Sequence, residues 1–417
     1  VMAQVYKKEL TILDSTDPAH VKKVLDQDLS KSCIIIGSKS GSTIETSSQM
    51  AAANQQLIMQ GLDPKNHFVV ITDPGSPLDI QARESNLRVV NADPNVGGRF
   101  SALSAYGLTP AALLGIDISI LLDDAYEASQ SFAMPGSVVT QVAAALADKF
   151  FSFAGFLDTG SNVSGLGEWI EQLIAESTGK DGKGVLPITL TKKSKLNYPV
   201  ITFDGSGENS VVASLGEHFI FWQWVTALLG YLLQVDPFNQ PNVTEAKDKT
   251  NALLSRWSKG REEINPIFES GSVAVYSTFQ EDSVAHYLAR AIANSKGYLA
   301  VMAYLHRGID DQIKDLAPLL ESKSKLPTTF GWGPRFLHST GQFHKGGPST
   351  GSFIQVTADN ENNWPIAGRD FGFETLIMAQ ALGDLEALSS RGFSVIRFHL
   401  KNRKQGIAEL LSAAEKI

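Results

Sequence analysis

The stretch CIIIGSKSGSTIET at residues 33–46 decides the fold class, because it joins an apolar strand to a helix through a short Gly- and Ser-rich loop. Its first four residues are apolar and mostly β-branched, which is typical of a strand buried in a parallel sheet. From this point the chain alternates short β-branched runs with longer amphipathic runs, the pattern of a parallel sheet covered by helices. We therefore predict an α/β protein.

The predicted elements fall into two series along the chain. The first series contains strands near residues 33–36, 68–72 and 87–90, with one helix after residue 42 and another before residue 87. The periodicity breaks around residues 134–136, and a second series begins with helices and continues with strands near residues 200–203, 273–276, 299–304, 353–357 and 395–398. Because 417 residues are too many for one ordinary core, the two series predict two domains, at residues 1–134 and 135–417.

Composition and charge exclude several classes of protein. Apolar residues make up 43% of the chain and charged residues 19%, so the chain is globular rather than disordered. The formal net charge of −8 disfavours nucleic acid and anionic membrane surfaces as partners. The apolar run at residues 219–235 is shorter than the ~20 residues that span a bilayer, so we interpret it as a buried helix.

Cysteine usage and the first residues predict a cytoplasmic location. Cys33 is the single cysteine and cannot form an intrachain disulfide, which fits a reducing compartment. Its place in an apolar run predicts that it packs in the core. Residues 1–13 mix Lys and Glu into a short apolar stretch, unlike a signal peptide.

The loop that begins at Gly37 is suited to bind an anion. Free N–H groups and the positive end of the dipole at a helix N-terminus favour negative charge, and Lys39 would add a charge-assisted contact. The hydroxyls that would contribute further donors are those of Ser38, Ser40, Ser42, Thr43 and Thr46. An ordinary Ser/Thr-capped helix is the alternative interpretation of this segment taken alone. The spacing matches neither a nucleotide-binding loop nor a dinucleotide-binding turn.

Two motifs resemble the phosphoglucose isomerase family. Residues 38–46 resemble its sugar-phosphate loop, whose pattern is close to S-K-T-x-T-T-x-E-T, and ADPNVGGRFS at residues 92–101 resembles its G-G-R-[FY]-S signature. The resemblance implies two sugar-isomerase domains, each a three-layer αβα sandwich with a mostly parallel sheet. It also implies interconversion of glucose 6-phosphate and fructose 6-phosphate through an enediol, without metal or organic cofactor, and a role for Arg99 in stabilising the enediolate.

Residues 172–180, QLIAESTGK, contain the candidate base. Gln172 and Glu176 lie four residues apart, on one face of a helix that ends at Gly179. An aldose–ketose isomerisation needs a base that moves a proton between neighbouring carbons, and a carboxylate is suited to this task. Taken alone, Glu176 is more readily a surface residue. The resemblance to the family motif E-S-[NT]-G-K implies that Glu176 is the base and that Gln172 contacts the sugar.

Ring opening needs groups that protonate the ring oxygen and deprotonate the anomeric hydroxyl, and His and Lys are suited to both steps. Residues 236–247, DPFNQPNVTEAK, resemble a family segment whose lysine lies in the active site, which implies that role for Lys247. The Gly-rich loop at residues 331–348 resembles the family's histidine region, so we assign ring opening to His338, with His344 as the rival. No Cys or carboxylate accompanies these histidines at zinc-ligand spacing.

The resemblance has two departures. The histidine motif follows the lysine motif here, which resembles a divergent bacterial branch that includes fusions to transaldolase. The family's G-x-G-G-S-x-L-G loop is not found, and residues 13–18 resemble the strand that follows that loop. We therefore expect a fragment of a longer protein, with impaired activity on its own. The resemblance also implies a homodimer and allows a fused or associated transaldolase.

Two other functions fit the same motifs. A non-catalytic sugar-phosphate sensor would keep the phosphate loop without needing Glu176 or Lys247. Isomerisation of a related sugar phosphate, such as mannose 6-phosphate, would use the same groups. The sequence does not separate substrates that differ in the orientation of one hydroxyl.

Overall fold

The computed structural model describes residues 1–148, 152–257, 264–360 and 363–417. The strands are β1 Ile34–Gly37, β2 Phe68–Thr72, β3 Arg88–Asn91, β4 Phe153–Leu157, β5 Leu186–Leu190, β6 Val200–Thr202, β7 Asn209–Ser210, β8 Phe268–Ser270, β9 Val273–Tyr276, β10 Tyr298–Ala303, β11 Thr328–Trp332, β12 Gly351–Ala358 and β13 Ser394–Leu400. The helices are α1 Met2–Val5, α2 Pro18–Leu25, α3 Ile44–Met59, α4 Pro64–His67, α5 Pro77–Glu84, α6 Ala105–Leu113, α7 Ile118–Phe132, α8 Val138–Leu146, α9 Leu166–Thr178, α10 Leu215–Leu233, α11 Val243–Trp257, α12 Val284–Asn294, α13 Leu316–Ser324, α14 Thr340–Gly346, α15 Phe373–Ser390 and α16 Arg403–Glu415. Short 3₁₀ helices lie at Gly98–Phe100, Asp311–Asp315 and Arg335–His338.

The first sheet is parallel and has the strand order β1-β2-β3. Ile34 lies opposite Phe68, and Val69 lies opposite Arg88. The central strand β2 is buried along its whole length, in agreement with its continuous apolar run. Cys33 is exposed, so the prediction that it packs in the core is wrong. The residue precedes β1, where the chain has not yet entered the sheet.

Two further sheets lie between residues 153 and 400. The second has the order β5-β4-β6-β7 and is parallel throughout, with α9 connecting β4 to β5. The third has the order β11-β10-β12-β13-β9-β8, in which the first four strands are parallel and the last two are antiparallel to their neighbours. The prediction of an α/β protein with mostly parallel sheets is confirmed.

Apolar contacts cross the predicted boundary between residues 134 and 135. Leu121 and Phe132 of α7 share a buried core with Phe156 of β4 and Trp222 of α10. The first sheet packs against α11 and α15, with Phe373 fully buried in that core. The division into residues 1–134 and 135–417 stays a prediction. These cores hold the first sheet against helices that come from the distant end of the chain.

Residues 13–18 do not form the strand that the resemblance implied. The backbone there leads into α2, because the side chain of Asp17 accepts a hydrogen bond from the N–H of His20 and Pro18 occupies the first helical turn. An Asp cap followed by Pro is a strong helix start, since the proline lacks an N–H that the first turn would leave unbonded.

The apolar run at residues 219–235 forms most of α10, which begins at a capping box between Ser214 and Glu217. Within the described residues, no helix combines the length and the apolar character needed to cross a membrane.

Candidate active site

A buried ion pair between Arg99 and Glu176 forms the centre of the candidate site. Arg99 Nη1 lies 3.1 Å from Glu176 Oε1, and the two side chains are 3% and 9% exposed. Burial lowers the pKa of the Arg99 guanidinium below its ordinary value, while the Glu176 carboxylate opposes that effect. The fold therefore brings the predicted base and the predicted enediolate-stabilising group into direct contact.

Two segments hold the guanidinium of Arg99. At the end of α9, Ser177 Oγ accepts a hydrogen bond from Nε at 2.9 Å. In the loop at residues 236–242, Gln240 Oε1 accepts from Nη1 at 2.8 Å and the Asn239 carbonyl accepts from Nη2 at 2.7 Å. The planar fork of Arg matches acceptors that converge from several directions, so this arrangement is specific for Arg rather than Lys.

Gln172 lies beside Glu176 on α9, as the helical spacing predicts. Its Nε2 is 3.5 Å from Glu176 Oε2, which is long for a hydrogen bond. Gln172 also lines a cavity of about 1410 Å³, together with Glu168 and Glu171 of the same helix. Gln172 therefore lies between the ion pair and open space, a position suited to the predicted sugar contact.

His338 is paired with a carboxylate that the sequence analysis did not single out. His338 Nε2 donates to Glu45 Oε1 at 3.1 Å, and Gln380 Nε2 donates to the same oxygen at 2.8 Å. Glu45 belongs to α3, directly after the phosphate loop, whereas His338 ends the 3₁₀ helix before α14. The motif at residues 38–46 contains Glu45, but no local signal predicts its partner.

Charge couples this second pair to the first. Burial lowers the pKa of His338, but the hydrogen bond and the charge of Glu45 outweigh burial and hold it above the ordinary value of 6.5. Burial raises the pKa of Glu45, and the hydrogen bond from His338 reverses the effect, so its pKa lies below the ordinary value. His338 also interacts electrostatically with Glu176 and Lys247.

The Glu45–His338 pair predicts a pH dependence. A raised histidine pKa stabilises the fold below the unfolded pKa, and this contribution is lost as pH rises through the folded pKa of His338. A lowered carboxyl pKa stabilises above the unfolded pKa, and this contribution is lost as pH falls through the folded pKa of Glu45. The pair therefore contributes fully between the unfolded pKa values of Glu45 and His338, and its contribution declines outside that range.

We expect Glu45→Gln to lower the pKa of His338, because burial then acts without the opposing carboxylate. The basic limb of the kcat/KM profile for fructose 6-phosphate would move to lower pH, and NMR titration of the His338 ring would report the same direction. Asp282→Asn is the matched control, since Asp282 pairs with the exposed His286 on the surface. A profile that is unchanged in Glu45→Gln would contradict the role of His338.

Lys247 lies on α11 and is exposed. Its ammonium interacts electrostatically with Glu45 and His338, so the lysine lies on the same side of the molecule as that pair. Its role in ring opening stays a prediction.

His344, the rival of His338, lies in a different environment. It is buried among the rings of Tyr298, Phe336 and Phe353, with ring centroids 5.2 to 6.1 Å away. Neither ring nitrogen has a hydrogen-bond partner among the described residues, and burial holds the pKa of His344 well below its ordinary value. A neutral, enclosed imidazole is poorly suited to exchange protons with a sugar, so the structure favours His338.

The predicted phosphate loop joins β1 to α3 and leaves the helix N-terminus open. Thr43 is the N-cap residue, and its side chain forms no capping hydrogen bond. Ser40 Oγ and Ser42 Oγ lie 2.7 Å apart, and Ser38 Oγ accepts from the N–H of Gly41 at 3.1 Å. Because the Thr43 side chain forms no capping hydrogen bond, the N-terminal donors of α3 are suited to receive an anion. Thr46 lies one turn further along the helix.

Lys39 is already engaged. Its Nζ lies 2.8 Å from Asp73 Oδ2 and also contacts the carbonyls of Asp93 and Pro94. A phosphate contact from Lys39 stays a prediction. The ammonium would have to contact the phosphate and the Asp73 carboxylate together, or leave the carboxylate for the phosphate.

Gly41 determines the shape of this loop. Its φ is +70°, and an added Cβ would lie 2.5 Å from Leu78 Cβ and 2.8 Å from the Leu78 backbone nitrogen. We expect Gly41→Ala to weaken binding of inorganic phosphate by roughly tenfold or more, because the loop must shift away from the start of α5. Gly61→Ala is the control, since Gly61 has φ +71° with nothing within 4 Å of the added Cβ. Equal phosphate affinity of the two variants, measured by calorimetry, would contradict the site.

Glu171 is a half-buried carboxyl on α9 that sequence reasoning missed. It accepts hydrogen bonds from Thr189 Oγ1 at 3.2 Å and Ser339 Oγ at 3.4 Å, and it lines the cavity. Burial raises its pKa to about 7. A carboxyl that titrates near neutral pH is a rival for the proton-transfer role. Only its position next to Gln172 would have pointed to it.

Within the described ranges, no group of three or more His, Cys, Asp or Glu side chains is arranged to hold a metal ion.

Comparison with known proteins relates the chain to one family. Residues 2–196 match the model of the phosphoglucose isomerase family. The probable glucose-6-phosphate isomerase of Haloarcula marismortui is 36% identical over 182 residues, which cover 42% of this chain and 42% of that protein. The glucose-6-phosphate isomerase of Methanocaldococcus jannaschii is 32% identical over 218 residues, covering 50% of this chain and 53% of that protein. The chain thus spans about half or less of these relatives.

A solved structure supports the fold alone. The glucose-6-phosphate isomerase of Chlamydia trachomatis superposes with a TM-score of 0.50 at 18% identity, covering 59% of this chain and 63% of that one. The matched residues 2–196 include Arg99, Gln172, Glu176 and the phosphate loop, whereas Lys247 and His338 lie beyond them.

Proposed function

We propose, from the match of residues 2–196 to the phosphoglucose isomerase family model, that the protein interconverts glucose 6-phosphate and fructose 6-phosphate. The observation that carries this proposal is the buried contact between Arg99 and Glu176, together with the pair of His338 and Glu45, whose histidine interacts electrostatically with Glu176. One pair is suited to enediol chemistry, and the other is suited to ring opening.

Each group has a task in the proposed reaction. His338 gives a proton to the ring oxygen while Lys247 assists removal of the proton from the anomeric hydroxyl, which yields the open aldehyde. Glu176 then removes the proton from C2, and electrons move through C1 to the carbonyl oxygen to form an enediolate. Arg99 stabilises the negative charge on that oxygen. Return of the proton from Glu176 to C1, together with transfer of the O2 hydroxyl proton to O1, gives the ketose.

The phosphate loop would hold the far end of the substrate. The open N-terminus of α3 and the hydroxyls of Ser38, Ser40, Ser42 and Thr43 supply donors for a phosphate, while Gln172 contacts the sugar. Binding energy at the phosphate then contributes to orienting C1 and C2 beside Glu176.

We further propose that the protein acts in the cytoplasm as a homodimer without cofactor, with a fused or associated transaldolase as an additional possibility. The single cysteine and the likeness to glycolytic isomerases support this location. The two domains would be of the sugar-isomerase type.

Turnover in deuterium oxide tests the proposed function. The purified chain is given fructose 6-phosphate, and glucose 6-phosphate is followed through a coupled dehydrogenase and by NMR. We expect turnover with solvent deuterium at C2, because a carboxyl base exchanges its proton with solvent. Turnover without deuterium would indicate a hydride shift, and binding without turnover would indicate either a sensor or impaired activity of the chain on its own. Mannose 6-phosphate, assayed in parallel, tests the epimeric substrate.

A further inference from the structure

We infer that Gln342 is a positioning residue that fixes the relative positions of Arg99 and Glu176. This inference rests on the proposed function. Gln342 lies on α14 and is fully buried. It contacts neither member of the ion pair. Its side chain instead forms hydrogen bonds with the end of α9 and with the loop at residues 236–242. Each of these two segments also contains hydrogen-bond acceptors for Arg99.

The amide of Gln342 is satisfied at both ends. Nε2 donates to the carbonyl of Gly179 at 2.8 Å and to Asn242 Oδ1 at 2.7 Å. Oε1 accepts from the backbone N–H of Asn242 at 3.0 Å. Buried amides with all of these bonds made constrain their partners strongly, since loss of any bond leaves a polar group unpaired.

Both partners of Gln342 adjoin the ion pair. Gly179 is the C-cap residue of α9 and follows Glu176 and Ser177, which contact Arg99. Asn242 lies two residues after Gln240, which accepts a hydrogen bond from Arg99. The guanidinium therefore lies between two segments that Gln342 ties together, so the separation of those segments sets the geometry of the site.

α14 is itself held firmly. Lys345 Nζ lies 2.6 Å from Asp384 Oδ1, and both side chains are almost fully buried. The carbonyl of Gly346 accepts from the N–H of Gly182 at 2.9 Å, which joins the end of α14 to the turn after α9. An added Cβ at Gly179 would lie 2.4 Å from Phe343 Cα, so the backbones are in close contact. These contacts fix the position of α14, the helix that carries Gln342.

The test compares Gln342→Met with Gln355→Met. Gln355 is an equally buried glutamine, on β12, whose Nε2 donates to the Ala381 carbonyl far from the ion pair in the chain. We expect kcat of Gln342→Met to fall about 100-fold with KM for fructose 6-phosphate nearly unchanged, since a misplacement of ~1 Å costs about that factor. Gln355→Met removes one hydrogen bond of a buried glutamine and should keep its kcat within about threefold.

A double-mutant comparison and amide hydrogen exchange distinguish a positioning role of Gln342 from general destabilisation. The effects of Gln342→Met and Arg99→Lys should be non-additive, because both displace the same guanidinium contacts. Amide hydrogen exchange at residues 236–242 should become faster in Gln342→Met and not in Gln355→Met. Asn242→Ala removes the hydrogen bond from Gln342 Nε2 to Asn242 Oδ1. We expect a five- to tenfold lower kcat, which corresponds roughly to the free energy of one hydrogen bond.

Equal kcat losses in Gln342→Met and Gln355→Met, or unchanged exchange at residues 236–242, would overturn the inference. If the wild-type chain shows no turnover, the proposed function fails, and hydrogen exchange in the variants still decides whether Gln342 positions this loop. A poorly folded Gln342→Met is replaced by Asn242→Ala in both measurements.

Discussion

Glu176→Gln is expected to lower kcat for fructose 6-phosphate by roughly 10³- to 10⁴-fold, the upper range for a general acid–base group. Gln keeps the shape of the side chain and can still accept a hydrogen bond from Arg99, but it cannot take the proton from carbon. KM should change little, because the phosphate loop does not contact Glu176. Steady-state kinetics in the coupled assay measure both constants.

Glu171→Gln is the control for this prediction. Glu171 lies on the same helix, is half-buried, and has a pKa raised to about 7 by desolvation, so it is the strongest rival base. We expect its neutral replacement to keep most of the activity. A large loss in Glu171→Gln together with near-normal turnover in Glu176→Gln would transfer the proton-transfer role to Glu171.

Arg99→Met is expected to lower kcat by about 10²- to 10³-fold, because the donor beside the developing oxyanion is lost. It should also destabilise the fold by about 3–5 kcal/mol, the cost of leaving one member of a buried ion pair unpaired. The carbonyls of Pro237 and Asn239 would lose their donor as well. Urea unfolding, followed by tryptophan fluorescence, measures the change in stability.

Arg99→Lys and Arg290→Met control for charge and for general loss of arginine. Lys keeps the positive charge but cannot reach the separate acceptors of the guanidinium, so we expect an intermediate loss of activity. Arg290 pairs with Glu281 on the surface, and its loss should cost less than about 1 kcal/mol. If the free energies of unfolding of Arg99→Met and Arg290→Met agree within error, the ion pair of Arg99 and Glu176 contributes little to stability.

Local pattern alone was sufficient for several strands. β2 and β9 lie at residues 68–72 and 273–276, as predicted, because their apolar runs are bounded by residues that end a strand. The loop from β1 into α3 was also predictable, since strand, Gly-rich turn and helix start are each determined within a few residues.

β4 and β5 were not predicted, because each run contains a residue that disfavours a strand. Gly155 interrupts FAGFL in β4, and Pro187 follows the first residue of LPITL in β5. Packing explains the glycine, since an added Cβ at residue 155 would lie 2.7 Å from Leu190 Cδ1. The pairing of the two strands across α9 becomes visible only in three dimensions.

The sequence by itself determined the α/β class, the loop from β1 into α3, and the placing of Gln172 and Glu176 on one helical face, because each depends on residues close together in the chain. Tertiary structure decided the rest. Glu45 and His338 pair across 293 residues, and Arg99 reaches Ser177 across 78. Burial encloses His344 among aromatic rings, which favours His338, and the assignment of ring opening stays a prediction. Such contacts depend on how three sheets pack together, and no local pattern of residues encodes that packing.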